Sequence, residues 1–270
     1  MKYCFQYNPQ EASLTKVADE LEIKYNRKDN TLLEFLEKYK EKRIIIYIDY
    51  EDILEKDLLL FKELKEKYNI VIKIDLDTEL EVAKKLKQYN IPFFFSQLIS
   101  DWDVLNGILD FGVTDVYIVE NLCFELDAVA AKVHSYNTKV RVFPNVAQSS
   151  WKSTAALKQF FIRPEDVDTY EPYIDTFEFW DGSEEYTKHI KLVLYKIYAI
   201  DKKWFGKLNE IIYGLDCDID SRFIIPRFSE ARIRCGKKCQ KGGKCNICGT
   251  INDLSKTLEK AEIMVKIDKK

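Results

Sequence analysis

Over its first two-thirds the chain alternates short β-rich runs with amphipathic stretches at helical spacing. The β-rich runs are KYCFQY (2–7), RIIIYIDY (43–50), NIVIKID (69–75), IPFFFSQ (91–97), VTDVYIVEN (113–121), TKVRVFPN (138–145), FFI (160–162) and DTFEFW (175–180). Between them lie TLLEFLEKYKEK, ILEKDLLLFKELKEKY, TELEVAKKLKQYN, DWDVLNGILDFG and FELDAVAAKVHSYN, with apolar residues three and four apart. Strand runs that read as buried on both faces imply a parallel sheet covered by helices. Eight such units predict an α/β fold of the (β/α)8, TIM-like barrel type, possible in an irregular form. A doubly wound sheet is the second choice, disfavoured because no glycine-rich phosphate loop follows the first strand.

Local signals refine this outline. Gly112 closes the helix 101–112 as its C-cap. The stretch 8–30 reads as polar and without a strand. In the segment 150–180 the pattern predicts a short helix, the strand FFI, a second short helix with Pro164 at its first position followed by Glu165, and the strand DTFEFW. We place the barrel at 1–183 and a C-terminal helical extension, packed on the barrel, at 184–270. In that extension YTKHIKLVLYKIYAIDKKWFGKLNEIIYG reads as helix, with Tyr195, Tyr198, Trp204, Phe205 and Tyr213 packing against the barrel. SRFIIPRFSEARIR reads as extended and NDLSKTLEKAEIMVKI as helical.

Composition limits the classes of function. The 270 residues are 46% hydrophobic and 32% charged, so a large core sits under a solvated surface. A net charge of −3 excludes a generally basic nucleic-acid binder but leaves room for a local basic patch. No apolar leader follows Met1, and no run of about 18 apolar residues occurs, so no membrane partner is expected. The setting expected is cytoplasmic and reducing, without a disulfide framework. Cys4 and Cys123 sit in apolar runs and read as buried free thiols. Cys217, in GLDCDIDS, is a surface thiol or a substitute ligand.

The most specific chemistry is the run RCGKKCQKGGKCNICGT. Cys235, Cys239, Cys245 and Cys248 stand in a C-x3-C-x5-C-x2-C spacing within one glycine-bearing loop, 235–248. Four thiolates close a tetrahedral site, and the flanking Arg232, Arg234, Lys237, Lys238, Lys241 and Lys244 offset their charge. Zinc is the metal expected; a four-iron four-sulfur cluster takes the same donors and is the alternative. The same basic residues supply phosphate contacts if the partner is RNA. The loop is also a docking point for a protein partner.

At the strand ends, where α/β barrels place their sites, stand Asp49, Asp75, Asp77, Gln97, Glu120, Asn121, Asn145, Gln148, Arg163, Glu178 and Asp181. Asp49, Asp75, Glu120 and Arg163 are the candidate catalytic residues, and a polar small molecule is the substrate class such a ring would bind. His134 and His189 fall in helices and read as surface or partly packed side chains. No nucleophile motif, HExxH or P-loop occurs, so hydrolysis by covalent catalysis has no support.

GVTDVYIVENLCFELDAVAAKVHSYNTKVRVFPN (112–145), FFIRPEDVDTYEPYIDTFEF (160–179) and EEYTKHIKLVLYKIY together resemble segments of the collagenase-like peptidase family U-thirty-two. The resemblance spans about 100–200. It implies a barrel-like α/β fold and, for several family members, oxygen-independent hydroxylation of tRNA, ribosomal RNA or ubiquinone precursors on a four-iron four-sulfur cluster. That family places its cysteines directly after the strand matching TKVRVFPN. Here the corresponding stretch NVAQSSWKST has none, and the cysteines come at 235–248. The expectation is therefore a metal-binding barrel, enzyme or, alternatively, a non-catalytic binding or assembly protein with a zinc-stapled C-terminal loop.

Overall fold

A computed structural model describes residues 1–7, 14–28, 31–49, 52–75, 80–143, 162, 166–179 and 228–235. Two compact units divide the chain. The first comprises Met1–Leu122, Val129–Val142 and Tyr173–Trp180; the second comprises Cys123–Ala128, Phe143–Pro172 and Asp181–Lys270.

The first unit is built on nine parallel strands: β1 (Lys2–Gln6), β2 (Glu20–Lys24), β3 (Arg43–Ile48), β4 (Ile70–Ile74), β5 (Phe93–Phe95), β6 (Leu98–Ile99), β7 (Asp115–Ile118), β8 (Lys139–Val142) and β9 (Thr176–Phe179). Their order is β5-β4-β3-β2-β1-β9-β8-β7-β6, every pairing parallel. The helices α1 (Thr31–Lys38), α2 (Glu55–Lys67), α3 (Leu80–Gln88), α4 (Trp102–Asp110) and α5 (Leu126–Ser135) fall between successive strands. This is the α/β, parallel-sheet architecture expected.

The strands are two-faced. Tyr3, Phe5, Leu21, Ile44, Ile46, Ile48, Ile70, Ile72, Ile74, Val116, Ile118, Val140, Val142, Phe177 and Phe179 are buried on one face. The intervening positions on the other face hold Cys4, Glu20, Glu22, Arg43, Lys73, Asp115, Tyr117, Arg141, Thr176 and Glu178, and these too are buried. Alternation follows from the two-residue repeat of a strand. The strands are thus buried on both faces as read, but they also alternate: ELEIK, DVYI, KVRV and TFEF place charge or hydroxyl between apolar residues, and both sets leave water.

The charged face is concave. Between β3 and β7 the order runs through β2, β1, β9 and β8, five strand spacings, or about 24 Å across a flat sheet. Yet Arg43 on β3 donates to Asp115 on β7 at 2.8 Å. The sheet therefore curls, barrel-like, around its charged face. The Thr114 amide, just before β7, also donates to the Phe93 carbonyl at 2.9 Å, bringing β7 to β5 at the opposite end of the order.

Four local expectations change. Strand β2 lies in a stretch taken as polar and strandless; three charges in five residues masked it. IPFFFSQ is two short strands, β5 and β6, interrupted at Ser96 and Gln97. β8 pairs directly with β9, Arg141 against Thr176; of the run FFI only Ile162 is described, and it lies in no strand. SRFIIPRFSEARIR, read as extended, contains the helix α7 (Phe228–Ile233), and the short helix α6 is Val167–Tyr170. Within the second unit Ser229 Oγ on α7 donates to Asp166 Oδ2 at 2.9 Å beside α6, tying the two short helices together. The helices expected at 153–159, 186–214 and 252–267 lie outside the described residues, as do Pro164, Glu165, Cys217 and His189. No helix among the described residues is long and apolar enough to cross a membrane.

Gly112 has φ +80°, and its amide closes α4 on the Leu109 carbonyl at 2.9 Å. Only glycine adopts this conformation without strain. Gly112→Ala is expected to lower the urea-unfolding free energy by about 1 kcal/mol, with an unchanged m-value.

Candidate functional site

Arg141 is fully buried at the centre of the concave face. Its Nη1 donates to Glu20 Oε2 on β2 at 2.6 Å and to Asp115 Oδ1 on β7 at 3.1 Å. Its Nε and Nη2 donate to Glu178 Oε2 on β9 at 3.1 and 2.9 Å. The guanidinium plane lies 5.4 Å from the Phe94 ring and 5.7 Å from that of Tyr117, a stacking that suits a weakly hydrated cation. Arg43 adds a two-pronged pair to Asp115 and reaches Glu20 Oε1 at 3.3 Å.

Toward the C-terminal strand ends Lys73 takes over. Its Nζ lies 2.7 Å from Glu22 Oε2 and 3.2 Å from Glu178 Oε1. The Tyr117 hydroxyl donates to Glu178 Oε2 at 2.6 Å. Above Lys73, the Tyr47 hydroxyl donates to Asp75 Oδ2 at 2.8 Å, and Ser96 Oγ donates to the other oxygen of Asp75. Register explains the stacking: Tyr47 pairs with Lys73, and Lys73 with Phe94, so Asp75 and Ser96 follow one pleat higher on the same face.

Burial and pairing oppose one another in the proton affinities. Burial alone would raise the Asp115 carboxyl, but the Arg43 hydrogen bonds and charge, with Arg141, hold it well below the usual carboxylate range. Burial likewise works against the anion of Glu178, and Lys73 and Arg141 bring it below its ordinary value. For Glu22 burial prevails over Lys73, and its carboxyl is pushed up. Burial disfavours the Lys73 ammonium, yet Glu178 and Glu22 raise its pKa above the usual lysine value. Cys4 and Tyr117, both fully buried, are pushed up by desolvation first and by Glu178 second. Burial and then Asp75 raise the Tyr47 phenol.

Of the residues the sequence singled out, Asp75 is half-buried in this assembly, whereas Asp49 forms an exposed pair with Lys24 at 2.5 Å. Glu178 lies within the network rather than at its rim. Glu120 opens a 3-10 turn, Glu120–Glu125, that precedes α5; its side chain lies outside what is described. Arg163, Asp77, Asn145, Gln148 and Asp181 lie outside the described residues. Gln97 sits at the β5–β6 interruption, its side-chain oxygen buried and without a hydrogen-bond partner among the described residues. His134 is half-exposed at 2.9 Å from Asp175, a partly packed surface histidine as expected. The sequence reading passed over Glu20, Glu22, Arg43, Lys73, Asp115 and Arg141. Their signal was the period-two placement of charge inside strand runs.

Cys4 is a buried free thiol and Cys235 a partly buried free thiol just after α7. Cys239, Cys245 and Cys248 lie outside the described residues. Among the described residues no group of three or more His, Cys, Asp and Glu is arranged to hold a metal ion. The inner carboxylates are close together, but their oxygens face guanidinium and ammonium groups.

No protein-family model matches this chain, and no curated protein matches its sequence.

Arg141→Ala leaves the buried carboxylates Glu20, Asp115 and Glu178 without their shared cation. It is expected to cost about 3–5 kcal/mol in urea-unfolding free energy. Because Asp115 has a depressed pKa in the fold, the stability it contributes is complete above its unfolded value of about 3.9 and is lost as pH falls through its lower folded value. Asp115→Asn is therefore expected to flatten the acid limb of a stability–pH curve, and two curves of equal acid slope would contradict this assignment.

Proposed function

We propose that the chain is a metal-binding α/β-barrel enzyme acting on a polar substrate, a small metabolite or RNA, of the kind the U-thirty-two resemblance implies. In this reading β5 and β6 count as one interrupted strand, and the curled sheet is an eight-stranded (β/α)8 barrel. The observation that carries the proposal is the half-buried Asp75, held by Tyr47 and Ser96 where β3, β4 and β5 end. Parallel α/β folds bind their substrates at this edge, because the loops there vary without disturbing the strands. Directly beneath lie the Lys73 ammonium and the Glu22 carboxyl, a cation and an acid that the strand-end residues alone did not supply.

In the same reading Cys235, Cys239, Cys245 and Cys248 hold a metal. The donor set fits zinc, which would staple the loop, or a four-iron four-sulfur cluster, which would supply one-electron chemistry. Cys235 fits in being a free, partly accessible thiol. A second reading, a non-catalytic binding or assembly protein, draws support from the pairing of Arg43, Lys73 and Arg141 with carboxylates. That pairing is what a filled structural core requires.

Metal analysis of anaerobically purified protein tests the metal and its kind. One zinc per chain, lost in Cys235→Ser and Cys248→Ser, is the expected result. About four irons with broad absorbance near 400 nm would instead establish the cluster, and protein free of both metals would remove the metal site. Bulk tRNA serves as the probe for RNA. Reversing the charge of Lys237, Lys238 and Lys241 is expected to weaken its binding and reduce the salt dependence; unchanged values would remove RNA as a partner of this loop.

A further inference from the structure

We propose that Glu22 is held as a neutral carboxylic acid in the folded protein and is the proton donor of the strand-end site. The donor role rests on the reading of the strand ends as a substrate site; the bound proton rests on the network itself. Four carboxylates (Glu20, Glu22, Asp115, Glu178) share three cations (Arg43, Lys73, Arg141) on the concave face. The hydrogen bonds are shared unequally. Asp115 is gripped by Arg43 and Arg141, and Glu20 by the same two arginines. Glu178 receives Lys73, the Tyr117 hydroxyl and two nitrogens of Arg141. Among the described residues Glu22 is met by one donor, Lys73, which it shares with Glu178.

The charged and titratable groups around Glu22 confirm the imbalance. On its own strand stand Glu20, committed to the arginines, and Lys24, which pairs outward with Asp49 at 2.5 Å. Cys4 on β1 and Tyr117 on β7 are neutral, with their proton affinities raised by burial. Glu178 on β9 opposes a second negative charge, while Lys73 on β4 and Arg141 on β8 favour it. Burial tips the balance, so the carboxyl of Glu22 keeps its proton above the ordinary carboxylate range. The two glutamates titrate as a pair, and the shared cation favours ionisation of the one with more donors.

Its position suits a donor. Glu22 lies one pleat below Lys24, and Lys24 pairs in register with Tyr47, whose hydroxyl reaches Asp75. On transfer, the O–H bond of Glu22 breaks and a new bond to hydrogen forms at an oxygen or nitrogen of the substrate. The carboxylate left behind is neutralised by Lys73, and nothing is oxidised or reduced. The substrate class is thus one that gains a proton, such as a carbonyl or a leaving oxygen.

Infrared spectroscopy of the full chain at a pH just above the ordinary carboxylate range reads the proton directly. The wild type is expected to show the C=O stretch of a protonated carboxylic acid, Glu22→Gln to lose it, and Glu178→Gln to retain it. A band unchanged by Glu22→Gln, or lost only in Glu178→Gln, overturns the proposal. Stability against pH gives an independent measure. A raised folded pKa contributes stability that is complete below the unfolded value and lost as pH rises through the folded one. Glu22→Gln is therefore expected to gain on the wild type as pH rises above the carboxylate range; parallel curves would also overturn the assignment. Neither failure touches the metal content, so loss of this proposal and loss of the metal-enzyme reading are separable.

Discussion

Arg141 is where four strands of the sheet meet. From β8 its guanidinium reaches Glu20 on β2, Asp115 on β7 and Glu178 on β9, while the rings of Phe94 and Tyr117 close over its faces. Asp115 and Glu178 lie on the strands beside β8, but Glu20 stands three strand spacings away, so the bond to it belongs to a curled sheet, and the curl would enclose bare charges without these pairs. Curvature and charge are thus each a condition of the other. A buried ionic core gains little stability over an apolar one of the same volume. What it supplies is register. Slipping any one strand by a residue would turn its charges toward the helices and its isoleucines toward the arginines.

Stability comes mainly from the opposite face. Ile44, Ile46 and Ile48 on β3, and Ile70, Ile72 and Ile74 on β4, are almost wholly buried, each side chain contributing roughly 1.5–3 kcal/mol by its removal from water. That gain offsets the desolvation of seven ionisable groups on the concave side. The concave side is itself graded along the strands. Glu20, Arg43 and Asp115 form a saturated layer, Glu22 and Lys73 a sparser one, and Tyr47, Asp75 and Ser96 a half-buried rim. Pairing weakens toward the C-terminal ends, the edge where parallel folds place their chemistry.

Much of this architecture was legible in the sequence. RIIIYI and IVIKI announce strands by their β-branched runs, and helices α1 to α5 by three-and-four spacing. Gly112 marked its helix end for a stereochemical reason that holds in any context. ELEIK did not read as a strand because Glu20, Glu22 and Lys24 resemble a solvated surface until the curl gives them an inside. The same ambiguity hid Lys73 and Arg141, which appear as single charges within apolar strands. Asp75 was visible because it follows its strand, and position alone carries meaning there. Asp49 shares that position but pairs with Lys24 at the surface, since a strand end specifies a height on the sheet and not a direction.

The carboxylates of the concave face are, as atoms, a plausible oxygen-donor set for a hard divalent ion. Their neighbours decide otherwise. The paired oxygens of Glu20, Asp115 and Glu178 accept from guanidinium or ammonium nitrogens at 2.5–3.3 Å. A divalent ion would have to displace Arg141 or Lys73 into a medium that solvates neither. A soft ion faces no such competition at thiolates. Cys235, Cys239, Cys245 and Cys248 bring four sulfur donors within fourteen residues of sequence, with lysines and arginines among them to offset thiolate charge. Donor types therefore separate along the chain: oxygen donors are consumed inside the sheet, and the sequence concentrates its sulfur donors near the C-terminus, where the proposed metal would find them.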